Sequence, residues 1–411
     1  MISKVKYEYL LGFIAIVWIL FFPYVLQLSC NYTVEGDEGS YLFAAKKLYL
    51  NLKIDDGRPL LISAINGFPL LLGFSEHSIF KWILFVNLLC WFSTIILIYK
   101  ISIKNTDKKF GFLLSLIFVF CIGNLAITYE LLSESVFILM LILSIFFINK
   151  YLITNNNTYL TLTTALLLLA ILVKPLSIGL VFIFIFLFMR KIKKIFFNKF
   201  SFLILFSLSL IFIQMYSLKR EYGNFTVSYI DSFTYYNYLG TRAQNLKNNI
   251  EFSQGNSKRY ADFAKASSSQ QRKIANEDLK NQLKTNPINL LKAYFINLYI
   301  NSSKGSATVH GSKNISKSNY FYNFQLVFKA ISKLQNIIFT IVGIPLSILC
   351  IISFRKQKIF FNILSLIILY VFFVSGISSD QGDRFHIVLY PLIILLLLNT
   401  KWFKSKPLCI E

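Results

Sequence analysis

Acidic side chains are scarce in this sequence: only 19 of its 411 residues are Asp or Glu, and charged residues of both signs make up 15%. Histidine occurs three times, and His77, His310 and His386 lie too far apart to share a metal-ligand spacing. Each reads as an ordinary interfacial or loop histidine. Five cysteines, Cys30, Cys90, Cys121, Cys350 and Cys409, form no CxxC pair, which argues against a zinc module or a disulfide framework. Neither GxGxxG nor GxxxxGK followed by Ser or Thr occurs, so no phosphate-cradling nucleotide loop is present.

Apolar residues, by contrast, fill 55% of the chain, with 42 Phe against 8 Pro. A soluble domain cannot bury that much apolar surface, so the chain reads as an all-α polytopic membrane protein. Lys and Arg number 42 and leave a net charge of +23. In a soluble protein this balance would point to nucleic acid. Here the cations cluster beside apolar runs, so they report topology, and nucleic acid is not an expected partner.

Apolar windows fall near 8–28, 79–99, 110–128, 132–149, 158–173, 175–189, 200–217, 336–353, 359–375 and 386–400, giving about ten transmembrane helices. The first follows Lys6, is longer than a signal-peptide core and lacks a small-x-small cleavage site, so it reads as a retained span. The two windows around Lys174-Pro175 read as separate short spans, because one helix over 158–189 would be roughly 48 Å long against a hydrocarbon core of about 30 Å.

With both termini inside, the cytoplasmic segments hold 18 Lys or Arg, from Lys4 and Lys6 through the Arg190 to Lys199 cluster to Arg355, Lys356, Lys358, Lys401, Lys404 and Lys406. The positive-inside rule favours this orientation. It divides the chain into an N-terminal membrane module (1–217) with a first outer loop (30–78), an external loop (218–335) and C-terminal membrane helices (336–411). Both large loops then face outward, as expected of a protein in the bacterial inner (plasma) membrane with its chemistry outside.

The first outer loop opens on EGDEGSY, with Glu35, Asp37 and Glu38 beside a span. Asp37 can serve as a general base, or as a ligand for a divalent metal ion together with a neighbouring acid. It can equally belong to a solvated acidic turn capping the helix that Tyr41, Leu42, Ala44, Ala45, Leu48 and Tyr49 define by their period. Arg58, before Pro59, can bind a lipid phosphate, snorkel, or pair with Asp55 or Asp56. Glu134 lies near the hydrocarbon boundary, where an unpaired carboxylate is costly. Glu130, one turn earlier, reads as solvated. Lys174 and Arg384 are outer cations near the membrane, able to neutralise phosphate or to anchor at the interface.

The external loop holds 17 Lys or Arg against 6 Asp or Glu, and its abundance of Asn, Ser and Gln over 241–286 promises little hydrophobic core. The basic excess could hold an anionic glycan or lipid headgroups, or be generic surface charge. After Asn286-Pro287, INLLKAYFINLYI is too short to span and reads as a helix packed on the bilayer or the bundle.

Taken in order, Asp37-Glu38-Gly39-Ser40-Tyr41, Arg58-Pro59, Glu134, Lys174-Pro175, Asn286-Pro287 and Arg384 ahead of Pro391 form a pattern. It resembles the GT-C glycosyltransferase superfamily, particularly bacterial members similar to protein O-mannosyltransferases and to the lipid A aminoarabinose transferase. The resemblance implies an inverting transfer of sugar from a polyprenyl-phosphate donor to a glycan, lipid or protein acceptor at the outer face, among membrane lipids. It implies that Asp37 is the base, with Glu38 in the catalytic set, and that Glu134 orients acceptor or donor. Arg58, with Lys174 and Arg384, would stabilise the departing phosphate, and Tyr41 would join the substrate-binding set. The chain departs from the pattern in being short and in carrying EG before the aspartate. Asp37, Glu134 and at least one of Arg58, Lys174 and Arg384 are expected to line one outward-facing cavity, covered in part by the external loop.

Two other readings compete. A polysaccharide polymerase would also act on polyprenyl-linked glycans, but would rely on arginines more than on a D-E string. A lipid-glycan transporter would place ionisable groups near mid-membrane, often in repeated halves, whereas these acids sit at outer span ends.

Overall fold

The computed structural model describes residues 6–28, 36–252, 258–353 and 359–400; Lys4, Cys30, Glu35, Arg355, Lys356, Lys358, Lys401, Lys404, Lys406 and Cys409 lie outside the described residues. The described chain is helical, with no strand among the described residues. Five helices are long and apolar enough to cross a membrane: α1 (Tyr7–Leu26), α4 (Glu76–Asn105), α7 (Glu134–Thr154), α11 (Ser201–Tyr222) and α18 (Phe321–Ile352). Their composition explains both the helices and the solvent they require. Phe13 and Leu20 on α1, Phe206 and Phe212 on α11, and Leu326 and Ile341 on α18 all face outward, exposed. Apolar faces of that extent belong in lipid.

A sixth crossing is bent. α5 (Lys108–Val119) and the short α6 (Ile122–Ala126), with the 3₁₀ turn to Tyr129, meet at 61°. The break frees backbone groups that hydrocarbon cannot solvate, and Gln335 of α18 satisfies two of them: Ile122 N donates to its Oε1 at 2.9 Å, and its Nε2 donates to the Phe120 carbonyl at 2.7 Å. The remaining apolar windows are short helices: α8 (Thr158–Ile171), α9 (Ser177–Leu187), α19 (Ile359–Ser375) and α20 (Leu389–Leu396), the last extended by a 3₁₀ turn to Asn399. All ten windows are therefore helical, while length and composition qualify five or six as crossings. α8 and α9 are separate helices, interrupted at Lys174-Pro175 as the proline and the length argument required.

Before α4 lie α2 (Gly36–Asn51) and α3 (Leu60–Leu71), which pack on each other, with Tyr49 filling the space beside Gly67 and donating to the Ala64 carbonyl at 2.9 Å. The short α10 (Ile192–Phe196) precedes α11. Between α11 and α18 come α12 (Ile230–Thr234), a π-helical turn (Tyr235–Gly240), α13 (Thr241–Lys247), α14 (Lys258–Lys265), α15 (Ser268–Thr285), α16 (Pro287–Ser303) and α17 (Ala307–Gly311).

Contrary to the sequence reading, this segment between α11 and α18 has a core. Tyr235, Tyr236, Leu239, Ala243, Phe263, Ala275, Leu290 and Ala293 form a buried cluster, in which the Tyr236 and Phe263 rings stack 4.3 Å apart. Arg259 lies 3.8 Å over the Tyr236 ring and pairs with Asp278 at 2.6 Å. α16 starts with Pro287 at its first turn and, as expected, packs on the bundle. Its Asn297 donates to the Gly376 carbonyl, and Asn301 to those of Ser375 and Ser378, at and just after the end of α19.

Candidate active site

α2 carries Asp37 and Glu38 in its first turn, where a helix N-terminus favours acids. It is tied to the start of α7 at two points. Glu38 Oε1 accepts from Leu131 N at 2.9 Å, and Tyr41 OH donates to Ser133 Oγ at 2.9 Å. Asn87 of α4 holds the same turn, donating to the carbonyls of Thr128 and Glu130. These contacts fix Glu134, the first residue of α7, close to α2.

Arg58 is set by the turn before α3. Asp55 Oδ1 accepts from Gly57 N and Arg58 N, both at 2.9 Å, in an Asx-type turn. Asp55 thus shapes the backbone and leaves the guanidinium free to go elsewhere. α3 in turn docks on the end of α8, with Leu61 N and Ile62 N donating to the Leu172 carbonyl, which brings Lys174 alongside.

The result is a continuous chain of alternating charges. Arg58 Nη2 reaches Asp37 Oδ1 at 2.6 Å, Arg384 Nη1 holds Asp37 Oδ2, Arg384 Nε reaches Glu134 Oε1 at 2.6 Å, and Lys174 Nζ reaches the same oxygen at 2.9 Å. Arg58 also donates to Ser40 Oγ and lies 4.2 Å over the Tyr41 ring. Lys174 sits between the Phe137 and Phe385 rings, 5.8 Å from each. Glu134 is fully buried, whereas the Asp37 side chain keeps 37% of its exposure. All seven residues singled out in the sequence, Asp37, Glu38, Tyr41, Arg58, Glu134, Lys174 and Arg384, therefore meet in one place. Asp37 and Glu134 touch the three cations directly.

Two sequence readings change. Arg58 pairs with Asp37 and not with Asp55 or Asp56. Glu130 is half-buried inside this cluster, close to Arg384, Glu134 and Asp37 and bonded to Thr308 of α17, so it is not the freely solvated acid expected. Sequence reasoning also missed Asp383, Ser40 and Gln381. Only their neighbourhood to Arg384 and Asp37 could have raised them, and for Ser40 the contact spans 18 positions.

The electrostatics divide the acids. Burial opposes charge on Asp37, but Arg384 and Arg58 outweigh it and hold the carboxyl below its ordinary value. Glu38 makes no direct ion pair: burial pushes it up to about 7, only partly offset by the Leu131 N–H and the nearby Arg384, with Glu130 adding to the rise. Burial likewise pushes Asp383 up to about 7 and raises Glu130. Burial disfavours the charge of Arg384, yet Glu134 and Asp37 overcome it and keep the group cationic.

A divalent cation does not fit this donor set. Both Asp37 oxygens and Glu134 Oε1 already accept from cationic N–H groups, and three cations face two paired carboxylates. Among the described residues no group of three or more His, Cys, Asp or Glu gathers as metal ligands. The three cations carry N–H groups that suit an anion with several acceptor oxygens, such as a phosphate ester.

Residues 57–216 match the family model described as dolichyl-phosphate-mannose-protein mannosyltransferase. The match spans Arg58, Glu134 and Lys174 and supports a GT-C-like membrane glycosyltransferase. No curated protein and no solved structure matches the chain.

Proposed function

We propose that this chain transfers a sugar from polyprenyl phosphate to a glycan, lipid or protein acceptor at the extracytoplasmic face of the bacterial inner membrane, with inversion, both of its termini lying in the cytoplasm. The observation that supports this most is the bridge made by Arg384 between Asp37 and Glu134, with Arg58 on the other side of Asp37. Two guanidinia that flank one carboxylate can exchange it for a phosphate. Inverting transfer then needs that phosphate on one face of the anomeric carbon and the released carboxylate near the acceptor hydroxyl on the other.

In the resting chain Asp37 is a weak base, because both its oxygens accept from arginines. A donor phosphate offers the guanidinia better acceptors and draws them away, freeing a carboxylate oxygen and raising its proton affinity. The acceptor hydroxyl oxygen then attacks the anomeric carbon from the face opposite the phosphate. The bond from that carbon to the phosphate oxygen breaks, the electron pair leaves with the phosphate, and Asp37 takes the hydroxyl proton. Arg58, Arg384 and Lys174 balance the charge that grows on the phosphate, while Glu134 holds Arg384 and Lys174 in place.

The D-E string favours a transferase over a polymerase, and the position of the acids outside the span interiors disfavours transport. Mass analysis of cell-surface glycans, lipids and proteins, with and without the gene, should reveal one missing sugar modification. An Asp37→Asn gene should fail to restore it, with transfer down by about 10² to 10⁴ although the protein still inserts. Full restoration by Asp37→Asn would overturn the assignment of the base.

A further inference from the structure

Arg384 does not sit on a helix. It is carried by the turn between α19 and α20, whose backbone is unusual: Asp380 has φ +65° and Gly382 has φ +63°. A Cβ at Gly382 would come within 2.6 Å of the Gly305 carbonyl, so only glycine allows this approach to the external segment. That segment holds the turn from several directions. Arg242 of α13 donates to Ser379 Oγ at 3.0 Å and pairs with Asp380 at 2.8 Å, Lys304 pairs with Asp380 at 2.8 Å, and Asp383 N donates to the Gly305 carbonyl.

One of these links reaches the guanidinium itself. Gln381 Oε1 accepts from Arg384 Nη1 at 3.3 Å, and Gln381 Nε2 donates to Tyr238 OH at 3.0 Å. Tyr238 lies in the π-helical turn, an irregularity that recurs at functional sites because it redirects side chains. Its neighbours Tyr235 and Tyr236 belong to the core of the external segment. The path thus runs from that core through Tyr238 and Gln381 to Arg384, and from there to Asp37 and Glu134.

We propose that Gln381 is a positioning residue for Arg384 and that Tyr238 fixes Gln381, so that the external segment aims a phosphate-binding arginine. This rests on the reading of Arg384 as a ligand of the donor phosphate. A guanidinium loses geometric specificity when its fork is free to rotate, and a neutral amide holds the fork without adding a charge that would compete with phosphate. The external segment thereby acts on donor binding without touching the lipid.

The test uses the full chain in lipid nanodiscs and undecaprenyl phosphate as probe, with affinity followed by native mass spectrometry. Arg384→Ala should weaken binding roughly a hundredfold, and Gln381→Leu and the milder Tyr238→Phe each roughly five- to tenfold. The double variant Tyr238→Phe/Gln381→Leu should bind no more weakly than Gln381→Leu alone, because the two act on one path. In an Arg384→Ala background Gln381→Leu should have no further effect, whereas damage to the fold would persist there. Wild-type affinity in Tyr238→Phe and Gln381→Leu, alongside a weak Arg384→Ala, would overturn the positioning role alone. Wild-type affinity in Arg384→Ala would overturn the phosphate reading, and the positioning role with it.

Discussion

Removing Arg384 tests the charged chain at its centre. The guanidinium makes one charge-assisted bond to Glu134 Oε1, at 2.6 Å, and one to Asp37 Oδ2. Glu134 is fully buried, and without Arg384 its one remaining ion-pair partner is Lys174. Breaking a buried pair by deleting one member costs about 3–5 kcal/mol, most of it the exposure of an uncompensated charge to a poor solvent. The half-exposed bond to Asp37 adds little, since water and Arg58 replace what is lost. Arg384→Leu should therefore destabilise the purified protein by about 3–5 kcal/mol and abolish transfer.

The double variant Glu134→Leu/Arg384→Leu separates the two effects. An apolar pair in place of a buried ion pair is often neutral, so most of the stability should return while transfer stays absent. Lys174 would lose its partner in the double variant, but it keeps some exposure and two aromatic neighbours. Denaturant unfolding in detergent, followed by tryptophan fluorescence, reads the first quantity, and a transfer assay in membranes reads the second. If Arg384→Leu proves as stable as the wild type, or if the double variant stays as unstable as the single one, the chain of ion pairs does not hold the site together.

Two further outcomes are expected. A single cysteine at Ala264, an exposed position on α14, in a background lacking the native cysteines, should react with a membrane-impermeant thiol reagent in intact spheroplasts; labelling only after the membrane is opened would reverse the orientation. Burial keeps Glu38 protonated between its ordinary value near 4.5 and about 7, so the folded chain binds more protons than the unfolded one there and stability should fall as pH rises through that window. Glu38→Gln should flatten part of this slope, Asp383 and Glu130 contributing to what is left, and an unchanged slope would show that Glu38 does not titrate in it.

The long helices were legible because lipid imposes one simple rule, a sustained apolar run, and α1, α4, α7, α11 and α18 obey it. The charged residues of the site were legible for the opposite reason: Glu134, Lys174 and Arg384 are costly beside hydrocarbon, so each one asked for an explanation. Partnership was not legible. Arg58 had two acids within three residues, yet the Asx turn engages Asp55 with backbone N–H groups, and the guanidinium crosses to α2. Gln381 and Tyr238, 143 positions apart, are ordinary polar residues until the fold joins them. The core of the segment between α11 and α18 was hidden because Tyr235, Tyr236 and Phe263 are spread through a polar stretch, with a π-helical turn that breaks the 3.6-residue period.

On the proposed mechanism, Arg58 and Arg384 exchange Asp37 for the phosphate of a polyprenyl donor. Cryo-electron microscopy of the full chain in nanodiscs saturated with undecaprenyl phosphate can see this exchange. The phosphate should lie within hydrogen-bond reach of both guanidinia, with at least one Asp37 oxygen released from its arginine. A phosphate bound away from both arginines, with the Arg58–Asp37–Arg384 bridge unchanged, would contradict it.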